Sequence, residues 1–199
     1  METNKSHCYC LNKTNQDTFM KWIVELLAPV LLGAKPSEIM SFPENDKMGI
    51  ERREKIKKVF DNSSKVYYRE FQTDKGCKKI LFYNLEVLDS TLKEFKNIKF
   101  LKEQGYPYEY NINTYLDCLI KKMENGVMPH EIGVFLGYPL KDVIGFIGHP
   151  SLKLTKVKGW RIYGDPRLSD EKYMKILAAK EKVKRLLEIN HPQEIIQSA

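Results

Sequence analysis

Lys65-Val66-Tyr67-Tyr68-Arg69-Glu70-Phe71, followed after Asp74-Lys75-Gly76 by Lys79-Ile80-Leu81-Phe82-Tyr83, is the stretch on which the fold turns. Aromatic and β-branched residues on both sides of a glycine-containing turn suit a pleated, half-buried surface, so the two runs predict a β-hairpin. Upstream, Glu51 to Phe60 predicts a helix with Ile56, Val59 and Phe60 inward, closed by the turn Asp61-Asn62-Ser63-Ser64. Before it, Glu38-Ile39-Met40-Ser41-Phe42 ahead of Pro43 reads as a short strand. Earlier still, Phe19, Trp22, Ile23, Leu26 and Leu27 recur at helical spacing behind a cap at Asp17 or Thr18, in a helix that should end near Pro29 or Gly33.

Downstream of the hairpin the apolar period changes to three and four. Leu85, Leu88, Leu92 and Phe95 fall on one helical face, and a short helix from Ile98 to Glu103 is stopped by Gly105 and Pro107. Tyr115, Leu116, Leu119, Ile120 and Met123 form the next stripe, capped at Asn111 or Asn113. Pro129 to Leu136 and Lys141 to Ile147 read as two short helices separated by Gly137-Tyr138-Pro139. Gly159-Trp160-Arg161-Ile162-Tyr163 alternates like a strand, with Trp160 and Ile162 on one side and Arg161 and Tyr163 on the other. Glu171 to Glu188 closes the chain as a helix, with Glu171–Lys175 and Glu181–Arg185 pairs four residues apart. The expectation is an α+β fold in a single domain over residues 17–190. Its small, mainly antiparallel sheet would join the hairpin, the strand at Gly159–Tyr163 and the strand at Glu38–Phe42, with several helices packed on it. A flexible polar tail is expected at 1–16 and a C-terminal tail at 191–199.

Composition narrows the class. With 199 residues, 42% hydrophobic and 30% charged, the chain resembles ordinary globular proteins and leaves little room for extended disorder. Its longest apolar run, Leu26 to Ala34, is interrupted by Pro29 and falls far short of the ~20 residues a membrane span needs. The polar N-terminus lacks the apolar core of a secretion signal, so a cytoplasmic location is expected. Four irregularly spaced cysteines suit reduced thiols better than a disulfide framework. The net charge of +7 is spread over both halves rather than gathered on one element.

Three segments carry a resemblance to a known family. Pro129-His130-Glu131-Ile132-Gly133-Val134-Phe135-Leu136-Gly137-Tyr138-Pro139, continued by Asp142-Val143 and Gly145-Phe146-Ile147, resembles the signature of the bacterial family catalogued as domain of unknown function 3793. Gly159-Trp160-Arg161-Ile162-Tyr163-Gly164-Asp165 looks like that family's Gly-aromatic-Trp-Lys-Val-Tyr-Gly-Asp segment with one residue missing. Ala28-Pro29-Val30-Leu31-Leu32-Gly33-Ala34-Lys35-Pro36 is similar to its Ala-Pro-Thr-Leu-Ala-Gly-Leu-Lys segment. The likeness spans roughly residues 20 to 188. One departure is Leu26-Leu27, where family members commonly carry His-Cys, so no thiol or imidazole chemistry transfers to that place. The resemblance implies no reaction.

Candidate site residues follow from chemistry at these segments. His130 and Glu131 at a helix start could form an acid/base pair or contact a ligand, or Glu131 could simply close the helix terminus. Trp160 and Tyr163 could stack on a flat ligand while Arg161 meets a carboxylate or phosphate, or the same three could form an ordinary half-buried strand; Tyr138, between the two short helices, is a further candidate binding residue. Glu131-Ile132-Gly133 with Gly137 and Val143 has the spacing of a helix-turn-helix, yet Val143, Ile144, Gly145, Phe146 and Ile147 are apolar and should turn inward rather than read base edges. His7, Cys8 and Cys10 lack the spacing of a zinc knuckle, and no metal site is expected. Phosphate loops, zinc-protease and serine-hydrolase signatures are missing from the sequence. The leading reading is a cytosolic accessory protein that holds a small anionic or aromatic ligand, or a protein partner, in a cleft near Pro129–Pro139 and Gly159–Tyr163. A nucleic-acid-binding protein built on 129–147 and an enzyme using His130 and Glu131 stand as alternatives; the sequence names no cofactor.

Overall fold

The computed structural model describes residues 16–43, 47–73, 77–126 and 128–198. The hairpin is its centre. β1 (Ser37–Pro43), β2 (Val66–Thr73) and β3 (Cys77–Asn84) form an antiparallel sheet in the order β1-β3-β2, with β2 and β3 paired from Val66–Asn84 to Thr73–Cys77. The expected turn at Asp74-Lys75-Gly76 lies outside the described residues. β3 is central and is buried on both faces, so its side chains alternate between two apolar cores. Ile80 and Phe82 enter one core; Leu81 and Tyr83 enter the other.

The first core is covered by α1 (Gln16–Leu31) and α2 (Lys47–Phe60) together with the chain's C-terminal helices, α8 (Arg167–Ile189) and α9 (Pro192–Ser198). Ile23 and Leu27 of α1 and Ile56 of α2 are completely buried there, as the helical spacing predicted, and so is Val24, which that stripe did not include. α9 replaces the tail expected over 191–199: Pro192, Ile195 and Ile196 are buried against α1. The sequence offers only two adjacent isoleucines at this place, too little periodicity to announce a helix.

The second core is covered by α3 (Leu85–Lys93), α4 (Phe95–Glu103), α5 (Ile112–Glu124), α6 (Ile132–Phe135) and α7 (Leu140–Ile147). Asn84 starts α3 by accepting a bond from the Val87 amide at 3.2 Å, and Asn111 starts α5 by accepting from the amides of Asn113 and Thr114. Two members of the expected α3 stripe are corrected. Leu85 is partly exposed, and Phe95, 79% exposed, begins a new helix because the backbone turns at Glu94.

The strand at Gly159–Tyr163 does not join the central sheet. β5 (Trp160–Tyr163) pairs instead with β4 (Leu154–Lys158) in a separate antiparallel two-stranded sheet. No sequence pattern announces β4, because Leu154-Thr155-Lys156-Val157-Lys158 buries no face. Strict alternation also fails in β5, where Ile162 and Tyr163 are both buried and Arg161 is exposed. Of the expected pairs on α8, Glu181–Arg185 forms at 3.4 Å, while Glu171 and Lys175 do not come within ion-pair distance. Among the described residues no helix is long and apolar enough to cross a membrane.

Candidate functional site

Close backbone contacts bring the three sequence segments together. Gly137 has φ +80°, and a Cβ there would lie 2.4 Å from Cδ of Pro36, so only glycine permits the loop after α6 to touch the segment ahead of β1. At Gly145 an added Cβ would fall 2.4 Å from Cγ of Tyr163, so α7 and β5 meet with no side chain between them on the helix side. Gly133 admits Val143 in the same manner at the α6–α7 crossing. Ser37 Oγ donates to the Phe135 carbonyl at 2.7 Å and Lys172 Nζ to the Gly137 carbonyl at 3.0 Å, which ties α6 to β1 and to α8. Burial lowers the pKa of that lysine.

Asp142 is the polar centre of the assembly. It is 2% exposed, and both carboxylate oxygens are fully engaged. Oδ1 accepts from Lys141 Nζ at 2.6 Å and from the Tyr163 amide at 2.9 Å; Oδ2 accepts from Trp160 Nε1 at 2.8 Å and Ser169 Oγ at 2.7 Å. Lys141 Nζ completes the cage by donating to the Tyr163 carbonyl and to Ser169 Oγ, each at 2.8 Å. Burial pushes the Asp142 carboxyl up, but the bonds from Lys141, Tyr163, Ser169 and Trp160 outweigh it and hold the group below the usual carboxylate range. The cage joins α7, β5 and the first turn of α8 and fixes the plane of the Trp160 ring.

In front of this cage lies a cleft of about 580 Å³ between the 128–133 segment, α7 and β5. His130, Tyr138, Trp160 and Arg161, four of the six residues singled out from sequence, line it. Tyr138 stacks on Trp160 with centroids 4.9 Å apart and planes 20° apart. His130 meets Phe146 edge-on at 5.2 Å, and the Arg161 guanidinium sits 5.6 Å from the centre of the same ring. Burial, and secondarily the charge of Glu38, push the Tyr138 phenol up to about 12.

The other two candidates do not line the cleft. Glu131 is buried, and it does not close α6 through its side chain, which makes no capping bond; Oε1 instead accepts from Lys122 Nζ at 2.6 Å. Beside it the Tyr106 hydroxyl is buried, and burial followed by the Glu131 charge drives its pKa far up. Tyr163 is buried beneath Gly145 and serves the cage through its backbone. Of the apolar run after Asp142, Val143 and Gly145 turn inward and Ile144 is half-buried, whereas Phe146 and Ile147 are exposed, contrary to the inward packing expected for all five.

Sequence reasoning missed Phe146 as a wall of the cleft and Asp142 as its support. One signal for Asp142 exists: a charged pair, Lys141-Asp142, opening an otherwise apolar helix needs internal partners. His7, Cys8 and Cys10 lie outside the described residues; among those described, no cluster of three potential metal ligands occurs.

An α+β chain in which two of the three motif segments, 129–147 and 159–165, line one aromatic-walled cleft is the class that fold and site define. The model of the family described as "Protein of unknown function (DUF3793)" matches residues 23–196, and the chain belongs to that family. No curated protein and no solved structure matches it.

Proposed function

We propose that this chain is a cytosolic protein that binds a small molecule in the cleft between the 128–133 segment, α7 and β5. The observation that carries the reading is convergence: residues of the 128–146 stretch and of β5 meet around one concavity whose size falls in the range of small-molecule sites, roughly 300–1,000 Å³. Its walls are aromatic and apolar, and a fully satisfied polar cage stands behind them, which is how a site is held in shape before its ligand arrives. The cytosolic part of the reading rests on the irregular cysteine spacing, together with Cys118, a free thiol.

The helix-turn-helix reading draws no support from α7. Its two charged residues, Lys141 and Asp142, bond to each other and to neighbouring elements, and its exposed Phe146 and Ile147 have no hydrogen bonds to offer a base edge. An acid/base pair of His130 and Glu131 is likewise unsupported, because Glu131 is committed to Lys122 and only His130 lines the cleft.

The test is titration of the full chain with N-phenyl-1-naphthylamine, a neutral aromatic probe whose emission rises in apolar sites. One saturable site per chain is expected. Phe146→Asp, at the half-open wall, should abolish it, and Ile189→Asp, on an exposed residue at the end of α8, should leave it intact. Absence of binding, or binding indifferent to Phe146→Asp, would overturn the reading.

A further inference from the structure

We infer that the ligand of this cleft is a planar aromatic molecule bearing an anionic group, with the ring among Phe146, Tyr138 and Trp160 and the anion at Arg161; this rests on the small-molecule reading above. The charge balance of the lining is the first argument. Asp142 and Arg161 are the lining residues that carry full charge at neutral pH. Asp142 is enclosed, and its four hydrogen bonds, one of them from the Lys141 ammonium, leave no lone pair turned to a guest. Arg161 is exposed, and its guanidinium forms no hydrogen bond or ion pair with any described residue; its contact is the face of Phe146. A guanidinium keeps its charge at all relevant pH values and presents a planar fork of donors that matches a carboxylate, sulfonate or phosphate. The cleft therefore offers a guest one unspent positive charge and no unspent negative one.

The walls supply the second argument. Trp160 Nε1 is already bound to Asp142, so this ring gives a ligand its hydrocarbon surface and not its donor. Tyr138 is held against it by stacking, and Phe146 of α7 lines the same cleft, half-exposed and carrying Arg161 at its face. Aromatic rings lining a cleft favour a flat guest in offset or edge contact. Because the cation lies against one of those rings, a ring and an anion must be joined within a short span of one molecule to reach both.

The inference is tested by comparing N-phenyl-1-naphthylamine with 8-anilinonaphthalene-1-sulfonate, which differs from it by the sulfonate alone. The sulfonate probe should bind about tenfold or more tightly than the neutral one, the lower end for a charge-assisted bond. Arg161→Gln should remove that advantage and leave the neutral probe within about twofold of its original affinity, while Arg161→Lys, which keeps the charge and loses the fork, should fall between. Rising salt should weaken the sulfonate probe and spare the neutral one. Arg161 is exposed, so these variants should keep the parental melting temperature, which is measured alongside. Equal affinities for the two probes, or an Arg161→Gln variant that weakens both alike, would overturn the inference and leave the cleft reading standing. If neither probe binds at a site sensitive to Phe146→Asp, the two fall together.

Discussion

The two faces of the central sheet are built on different principles. Against the first, α1, α2, α8 and α9 press a continuous apolar layer in which Ile23, Leu27, Ile56, Phe82 and Val183 are completely buried. The second has its own apolar core under α3, α4 and α5, but at the margin where α6, α7 and β5 meet, packing gives way to specified contacts: three glycines at van der Waals limits and a carboxylate with four donors. Cores of the first kind tolerate changes that conserve volume, because burial is non-directional. Contacts of the second kind tolerate almost none, since each names a single atom at a single distance. The cleft lies on the second kind, and the difference assigns the first face to stability and the cage to holding the cleft in shape.

Substitutions can break or sharpen that contrast. Asp142→Ala should have the largest effect, about 3 kcal/mol or somewhat more, since it strands Lys141, Trp160 and Ser169 without their acceptor. For a chain of this length that is a fall of roughly 6–12 °C in melting temperature. The same residue sets an acid limb. Its folded pKa is depressed, so its contribution is complete above the unfolded value of about 3.9 and is lost as pH falls through the folded one. Urea titrations from pH 5 downward should show the parental protein losing stability more steeply than Asp142→Ala. Next, Gly145→Ala should cost about 1–3 kcal/mol by driving α7 and Tyr163 apart. Gly105→Ala separates backbone strain from packing: φ is +87° with open space around it, so it should cost only the roughly 1–2 kcal/mol of a left-handed alanine. Smallest of all, Leu27→Met on the first face should stay under about 1.5 kcal/mol. If Leu27→Met proved as damaging as Gly145→Ala in chemical denaturation, the proposed difference between the faces would disappear.

The same contrast explains what could be read from the chain. On the first face α1 and α2, and on the second α5, announce themselves, because their burial is written as periodic leucine, isoleucine and aromatic residues whose partners need not be known; α9, with two adjacent isoleucines, does not. The sequence does not reveal β4, whose side chains are largely exposed, nor the partner of β5, because Tyr163 packs on α7 rather than on the central sheet. In the site, His130, Tyr138, Trp160 and Arg161 could be nominated for their chemistry. Which of them face a common space could not, and neither could the cage, because the donors to Asp142 from Trp160, Tyr163 and Ser169 lie 18 to 27 residues away and meet it only through tertiary packing.

Binding of N-phenyl-1-naphthylamine to Asp142→Ala, measured at a temperature where circular dichroism shows the variant's helices intact, probes the link between cage and cleft most directly. Loss of the probe site in a chain that retains its helical signal is the predicted result. Binding with the parental affinity and stoichiometry would contradict it, for the cleft would then keep its shape without the carboxylate held to support it.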